Sequence, residues 1–122
     1  MSFNDPVQSL QDILDNIARA ERFTRGCDFE AFISDEEKIY AVQYALQVIG
    51  EAAIRLGDQA DRLCPGIPWR EIRGIRNWIS HGYDKIDLAQ IWGTVTDDLP
   101  LLKAAVMLAL AGMKAPEPPE PG

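Results

Sequence analysis

Residues 34–57 read SDEEKIYAVQYALQVIGEAAIRLG, and this stretch decides the fold class. Ser34, followed three residues later by Glu37, has the form of a capping box, which predicts that a helix begins here. Apolar side chains then recur at intervals of three or four residues, which is the helical period: Ile39, Val42, Leu46, Ile49, Ala53 and Leu56. Gly57 ends the pattern, so the sequence predicts a long helix over about residues 35–56.

Helical periodicity recurs in four further segments, each preceded by a capping residue or a proline. These segments are a helix over about residues 6–25, one from Pro68 through Ser80, one that begins after Asp87, and one from Leu101 to Leu110 that ends at Gly112. A further helical turn is predicted over residues 58–63. The sequence has no alternating strand pattern and no internal repeat. It therefore predicts an all-α fold, an up-and-down bundle of four to five helices.

The long helix also carries signals about its packing. Gly50 lies in its interior, where glycine costs ~1 kcal/mol relative to alanine, and this favours a close approach by another helix. Tyr40 and Tyr44 lie four residues apart on the same helix, and we expect both to pack against other side chains. The three tryptophans are expected in the core or at an interface: Trp69, Trp78 and Trp92.

A chain of 122 residues has the length of one domain. We expect a helical domain over residues 1–112 and a disordered Pro/Glu-rich tail over residues 113–122. No run approaches the ~18–20 apolar residues of a membrane helix, and the N-terminus lacks the features of a signal peptide. Cys27 and Cys64 are too few for a disulfide scaffold and have no companion metal ligands. These features predict a cytoplasmic protein with free thiols, no metal and no cofactor.

The formal net charge of −7 argues, taken alone, against a nucleic-acid partner. The charge is unevenly distributed, however. Residues 1–61 carry a net −7 and residues 86–122 a net −3, whereas residues 62–85 carry a net +3 and the only histidine, His81. The basic segment is therefore the place to look for a binding or catalytic site.

Residues 70–83 of this basic segment read REIRGIRNWISHGY. On a helix, Arg73, Asn77 and His81 are spaced four residues apart and share one face, with Arg76 at its edge. Arg76 and His81 are five residues apart, about 140° around a helix axis. They meet on one ligand only if the helix end is distorted near the following glycine, or if a second chain contributes to the site.

These side chains suit cleavage of an RNA phosphodiester without a metal. A neutral imidazole near pH 7 takes the proton of a ribose 2′-hydroxyl, and an arginine holds the phosphate and stabilises its developing charge. Asn77 could orient the imidazole or the guanidinium. Tyr83 could donate a hydrogen bond to a phosphate oxygen or stack on a base. Acid–base cleavage profits from two proton-transfer groups. With one histidine per chain, a homodimer with a composite site is the simplest enzyme model.

Residues 76–83 match the pattern Arg-x4-His-x-Tyr, which resembles the signature of the HepT-like toxin ribonucleases of the HEPN superfamily. The surrounding sequence agrees with the resemblance at residues 49–53, at Pro68-Trp69 and from Trp92 to Pro100. The similarity extends over roughly residues 6–112.

The resemblance implies an α-helical homodimer with its site at the dimer interface. It implies a metal-independent endoribonuclease that acts on an RNA such as tRNA or mRNA, as the toxin of a toxin–antitoxin pair. The antitoxin would be a minimal, MntA-like nucleotidyltransferase that transfers AMP from ATP to the motif tyrosine. Arg76 and His81 take the catalytic positions, Asn77 the polar position after the arginine, and Tyr83 the modified position.

Other interpretations of the same residues remain open. His81 could serve only as a cap at the helix end, and Arg76 could pair with a carboxylate such as Glu51. Glu51 is expected to form a local ion pair with Arg55, and a second hypothesis has it orient Arg76. The alternative function is a non-catalytic helical dimer that binds and regulates a nucleotidyltransferase.

Overall fold

The computed structural model describes residues 5–81 and 87–114, and the regular structure in these two ranges is helical. In chain order the elements are α1 (Pro6–Thr24), α2 (Phe29–Ile33), α3 (Glu36–Leu56), α4 (Gln59–Leu63), α5 (Trp69–His81), α6 (Leu88–Gly93), a π-helical segment (Thr94–Asp98) and α7 (Leu99–Lys114). The predicted all-α fold is confirmed, and α4 is the predicted extra turn.

Two of the predicted helix starts have the expected caps. The Asp5 side chain accepts a hydrogen bond from the backbone N–H of Val7 at 3.0 Å, and Pro6 occupies the first turn. The Asp87 side chain accepts from the backbone N–H of Gln90 at 3.1 Å. In both places the carboxylate satisfies a donor that has no partner within the helix.

The start of α3 differs from the prediction. Asp35, not Ser34, is the capping residue, and its side chain accepts from the backbone N–H of Lys38 at 3.2 Å. Ser34 instead follows α2, and its hydroxyl donates to the carbonyl of Glu30 at 2.8 Å. The sequence did not indicate α2, because five residues hold too few periodic positions to be recognised.

The long helices enclose one core. Helix α3 packs against both α1 and α5, and α7 packs against α1 and the π-helical segment. Trp69, at the start of α5, is 2% exposed, and its indole N–H donates to the carbonyl of Cys64 at 3.0 Å. Cys64 is itself buried, which raises the pKa of its thiol, and both cysteines are free. This packing is the predicted bundle, and it places α5 against α3.

The C-terminal helix is longer than predicted. Helix α7 runs from Leu99 to Lys114 and passes through Gly112, which was expected to end it. Gly57 ends α3 with a positive φ of 55°, whereas Gly112 does not adopt a positive φ. A glycine ends a helix when the chain turns into the left-handed region, and it is otherwise tolerated within the helix. Residues 115–122 of the predicted tail lie outside the described residues.

Candidate functional site

The candidate site is built on α5, whose two sides have different chemistry. Ile72, Ile75 and Ile79 are buried in the core, as their spacing predicts. Asn77 lies on the opposite side and Arg76 at the edge of the buried face, and both residues are exposed to solvent. Burial of the three isoleucines therefore fixes which side of α5 is available to a ligand.

Arg76 lies where α5 crosses α3, directly against Gly50. A Cβ atom added at Gly50 would lie 3.0 Å from the backbone N and 3.4 Å from the Cβ of Arg76. The predicted close approach at Gly50 is therefore confirmed, and α5 is the helix that approaches. The contact holds the backbone of Arg76 in place while its side chain extends into solvent.

The guanidinium of Arg76 has no intramolecular partner within residues 5–81 and 87–114. No hydrogen bond or ion pair joins Arg76, the half-buried Arg73 or Asn77 to another described residue. Exposed arginines without a carboxylate partner keep all their donors available for a phosphate.

Glu51 does not pair with either arginine that the sequence suggested. It accepts a hydrogen bond from the side chain of Gln47 at 3.3 Å. Arg55 instead pairs with Asp12 of α1 at 2.7 Å, so the expected Glu51–Arg55 ion pair is wrong. Between the described side chains of one protomer, Glu51 and Arg76 are likewise not brought together.

His81 is the last residue of α5. Regular helical geometry places positions 76 and 81 about 140° apart around the axis. Tyr83 lies in residues 82–86, outside the described part of the chain, so its predicted place beside the catalytic pair stays a prediction.

Next to the α5 contact, α3 carries an exposed stripe that the sequence did not predict. Its five members are spaced alternately four and three residues apart; Tyr40, Tyr44 and Ile54 are exposed, and Gln47 and Glu51 are half-buried. Within one protomer Tyr44 is 68% exposed and Tyr40 is 48% exposed, so their expected packing against other side chains stays a prediction for an interface. Trp92, by contrast, packs on Phe32 at 5.3 Å between ring centroids, as a core aromatic does.

A cleft of about 480 Å³ opens on the other side of α5, between it and α6 with the π-helical segment. Glu71 and Trp78 line it from α5, and Gln90, Asp97 and Asp98 line it from the opposite wall. Burial, and then the negative charges of Asp97 and Glu71, raise the pKa of Asp98. Sequence analysis missed this cleft because its walls come from segments about twenty residues apart. Its acidic lining is the wrong charge for a phosphate.

Replacing Asp98 by asparagine should stabilise the fold at neutral pH. Folding raises the pKa of the Asp98 carboxyl above its ordinary value of 3.8. The folded protein therefore becomes less stable as the pH rises from 3.8 through the raised pKa. We expect Asp98→Asn to raise Tm at pH 7 by up to about 3 °C, because the group is largely hydrated. The difference should vanish near pH 3, where both states bind the proton, and thermal scans at the two pH values measure it. An unchanged or lowered Tm at pH 7 would contradict the argument.

The chain is similar to known proteins over most of its length. A family model described as Ribonuclease HepT-like matches residues 13–109. A protein of Thermococcus cleftensis named "Probable ribonuclease HepT" is 42% identical over 94 residues, which cover 77% of this chain and 86% of the relative. A protein of Methanocaldococcus jannaschii, whose name proposes an RNase, is 36% identical over 106 residues, covering 87% and 97% of the two chains. No solved structure matches the chain significantly. None of the helices described is long and apolar enough to cross a membrane.

Proposed function

Because this chain belongs to the ribonuclease HepT-like family, we propose that it is a metal-independent endoribonuclease in which Arg76 and His81 carry the reaction. The observation that carries the proposal is how Arg76 is held at its backbone and exposed at its guanidinium. Its backbone is held against Gly50, and its exposed guanidinium has no partner in the described part of the chain. An arginine whose backbone is held in place and whose guanidinium is exposed is suited to bind a phosphate bidentately.

We propose further that two copies form the site. One chain has a single histidine, and helical geometry separates positions 76 and 81 by about 140°, so a second copy brings the groups together more readily than a single helix does. The exposed stripe on α3 supports this proposal, because it places Tyr44 and Ile54 in solvent next to the α5 contact. Exposed aromatic and aliphatic side chains are typical of an interface.

In this dimer the chemistry balances without a metal. Neutral His81 of one copy accepts the proton of the ribose 2′-hydroxyl, whose oxygen attacks the adjacent phosphorus. The bond from phosphorus to the 5′-oxygen breaks, and that oxygen takes a proton from His81 of the second copy, which enters the reaction as the protonated imidazolium. Arg76 stabilises the charge on the non-bridging oxygens, while Asn77 and Arg73 support its position. The products are a 2′,3′-cyclic phosphate and a 5′-hydroxyl.

The proposed regulation acts at Tyr83, two residues after His81. A nucleotidyltransferase antitoxin transfers AMP from ATP: the tyrosine oxygen bonds to the α-phosphorus and pyrophosphate leaves. The added group is bulky and anionic, so it would fill the composite site and offset the positive charge that holds RNA. In this proposal the chain is the toxin of a toxin–antitoxin pair.

Cleavage of RNA by the purified protein in the presence of EDTA tests the proposal. We expect wild-type protein to release fragments with 2′,3′-cyclic phosphate and 5′-hydroxyl ends, and His81→Ala to release none while it keeps its circular dichroism spectrum. Cleavage retained by His81→Ala would overturn the assignment. A wild-type protein that binds the nucleotidyltransferase and cleaves no RNA would instead support the non-catalytic alternative.

A further inference from the structure

Helix α7 is apolar on both of its sides. Between Leu99 and Met113 it carries a single charged residue, Lys103, which pairs with Glu21 of α1 at 3.0 Å. One side belongs to the core: Leu99, Leu102, Val106 and Leu110. A soluble amphipathic helix carries polar residues on the side opposite the core, and a helix that is apolar all round is normally covered on both sides.

The solvent-exposed side of α7 carries a regularly spaced row of apolar side chains, which we name the α7 stripe. It consists of Leu101, Ala104, Leu108 and Ala111, which are spaced by three, four and three residues and are all exposed. Leu101 is 67% exposed and Leu108 is 77% exposed, and they are the two most exposed leucines described. At 100° per residue the stripe lies diametrically opposite the core residues of α7. This spacing is that of a helix that packs against one other helix along its length.

Two potential occupants fit the stripe poorly. Residues 115–122 contain four prolines, two glutamates and no large apolar side chain, so they lack the groups to cover two leucines. A membrane surface attracts helices that are flanked by lysine and arginine. Here the helix follows the exposed Asp97 and Asp98, in a chain of net charge −7.

We propose that α7 of a second copy covers the stripe, with the two helices antiparallel about a two-fold axis. The stripe is complementary to itself in this orientation. If the axis passes midway between Ala104 and Leu108, each Ala104 opposes a Leu108 and each Leu101 opposes an Ala111 of the other copy. A large side chain then always meets a small one, so the helices approach closely, and the antiparallel helix dipoles attract each other. A two-fold contact closes on itself, so it adds only one further copy at this surface.

This contact is distinct from the surface that carries Arg76. Helix α7 packs on α1 and the π-helical segment, whereas the exposed stripe of α3 adjoins α5. The two surfaces can therefore be used together, and a protein that uses both forms a particle of four copies.

Light scattering coupled to size-exclusion chromatography tests the contact on the full chain. We expect Leu108→Glu to halve the mass of the wild-type particle, because a glutamate in the middle of the stripe cannot be buried without a partner. Ala89→Glu places the same charge at an exposed position of α6 and should leave the mass unchanged. Leu108→Glu should also keep the wild-type circular dichroism spectrum, since Leu108 is 77% exposed in one protomer and lies outside its core. An unchanged mass for Leu108→Glu would overturn the proposal.

Disulfide cross-linking tests the orientation independently of mass. In a Cys27→Ser background, the double variant Leu101→Cys/Ala111→Cys should form a covalent dimer on mild oxidation. Each single variant should not, because like positions would lie about 15 Å apart along the antiparallel pair, too far for a disulfide. Cross-linking by either single variant would show a parallel pair, and no cross-linking by the double variant would show that the helices do not meet; either result contradicts the proposal. Neither test depends on RNA cleavage, so the α7 contact and the proposed function can fail separately.

Discussion

Arg76→Ala should lower the rate constant for RNA cleavage by at least about 100-fold, which is the usual effect of removing one donor that stabilises a transition-state charge. Arg76→Lys should recover little of the loss, because an ammonium group keeps the charge and loses the bidentate geometry. The measurement is single-turnover cleavage at saturating RNA. Under these conditions weaker binding does not lower the observed rate constant.

Arg70→Ala is the matched control for this prediction. Arg70 is exposed on the same helix and lies outside the motif, so its removal changes the charge equally and removes no proposed catalytic group. We expect its rate constant to stay within about threefold of wild type, with a weaker apparent affinity for RNA at most. Both variants should melt within about 2 °C of wild type, since neither side chain is buried or paired. Equal losses for Arg70→Ala and Arg76→Ala would mean that general charge, not Arg76, supports cleavage.

Most of the fold could be predicted because the signals are local. The spacing of apolar residues in α3, and the carboxylate caps at Asp5 and Asp87, depend only on neighbours in sequence. The errors have equally local causes. Ser34 is the C-terminal capping residue of the short α2, so Asp35 is the residue that caps the start of α3. Gly112 resembled a helix stop, yet a helix ends only where the chain turns away from its axis, and the presence of a glycine does not by itself decide that.

The sequence proposes the candidate site as a set of residues and does not give their arrangement. The basic segment and its motif single out Arg76 and His81, because composition and spacing are visible in one chain. Which carboxylate each arginine contacts was not visible. Arg55 pairs with Asp12, which lies 43 residues away in sequence on α1, and Arg76 has no partner among residues 5–81 and 87–114. Long-range contacts of this kind depend on how the helices pack, so they cannot be predicted from the spacing of neighbouring residues in the sequence.

Gly50 shows how such a contact can be tested. Gly50→Ala should lower stability although alanine favours the helix by about 0.5–1 kcal/mol. The new Cβ would lie 3.0 Å from the backbone N of Arg76, a main-chain atom that cannot move without shifting α5. Overpacking of this kind costs about 1–3 kcal/mol, so we expect a net loss near 1 kcal/mol and a fall in Tm of about 3–6 °C. Gly50→Leu should cost more.

Gly74→Ala is the control that isolates the contact, because a Cβ at Gly74 of α5 would meet nothing within 4 Å. The same substitution should there raise stability by about 0.5–1 kcal/mol, through helix propensity alone. We expect the two variants to differ in their rate of RNA cleavage as well. Gly50→Ala displaces the backbone of Arg76 and so lowers the single-turnover rate constant at temperatures well below its Tm, whereas Gly74→Ala leaves the rate unchanged. If both Gly→Ala variants raise Tm, the approach of α3 to Arg76 is looser than 3.0 Å implies, and Gly50 does not position the arginine.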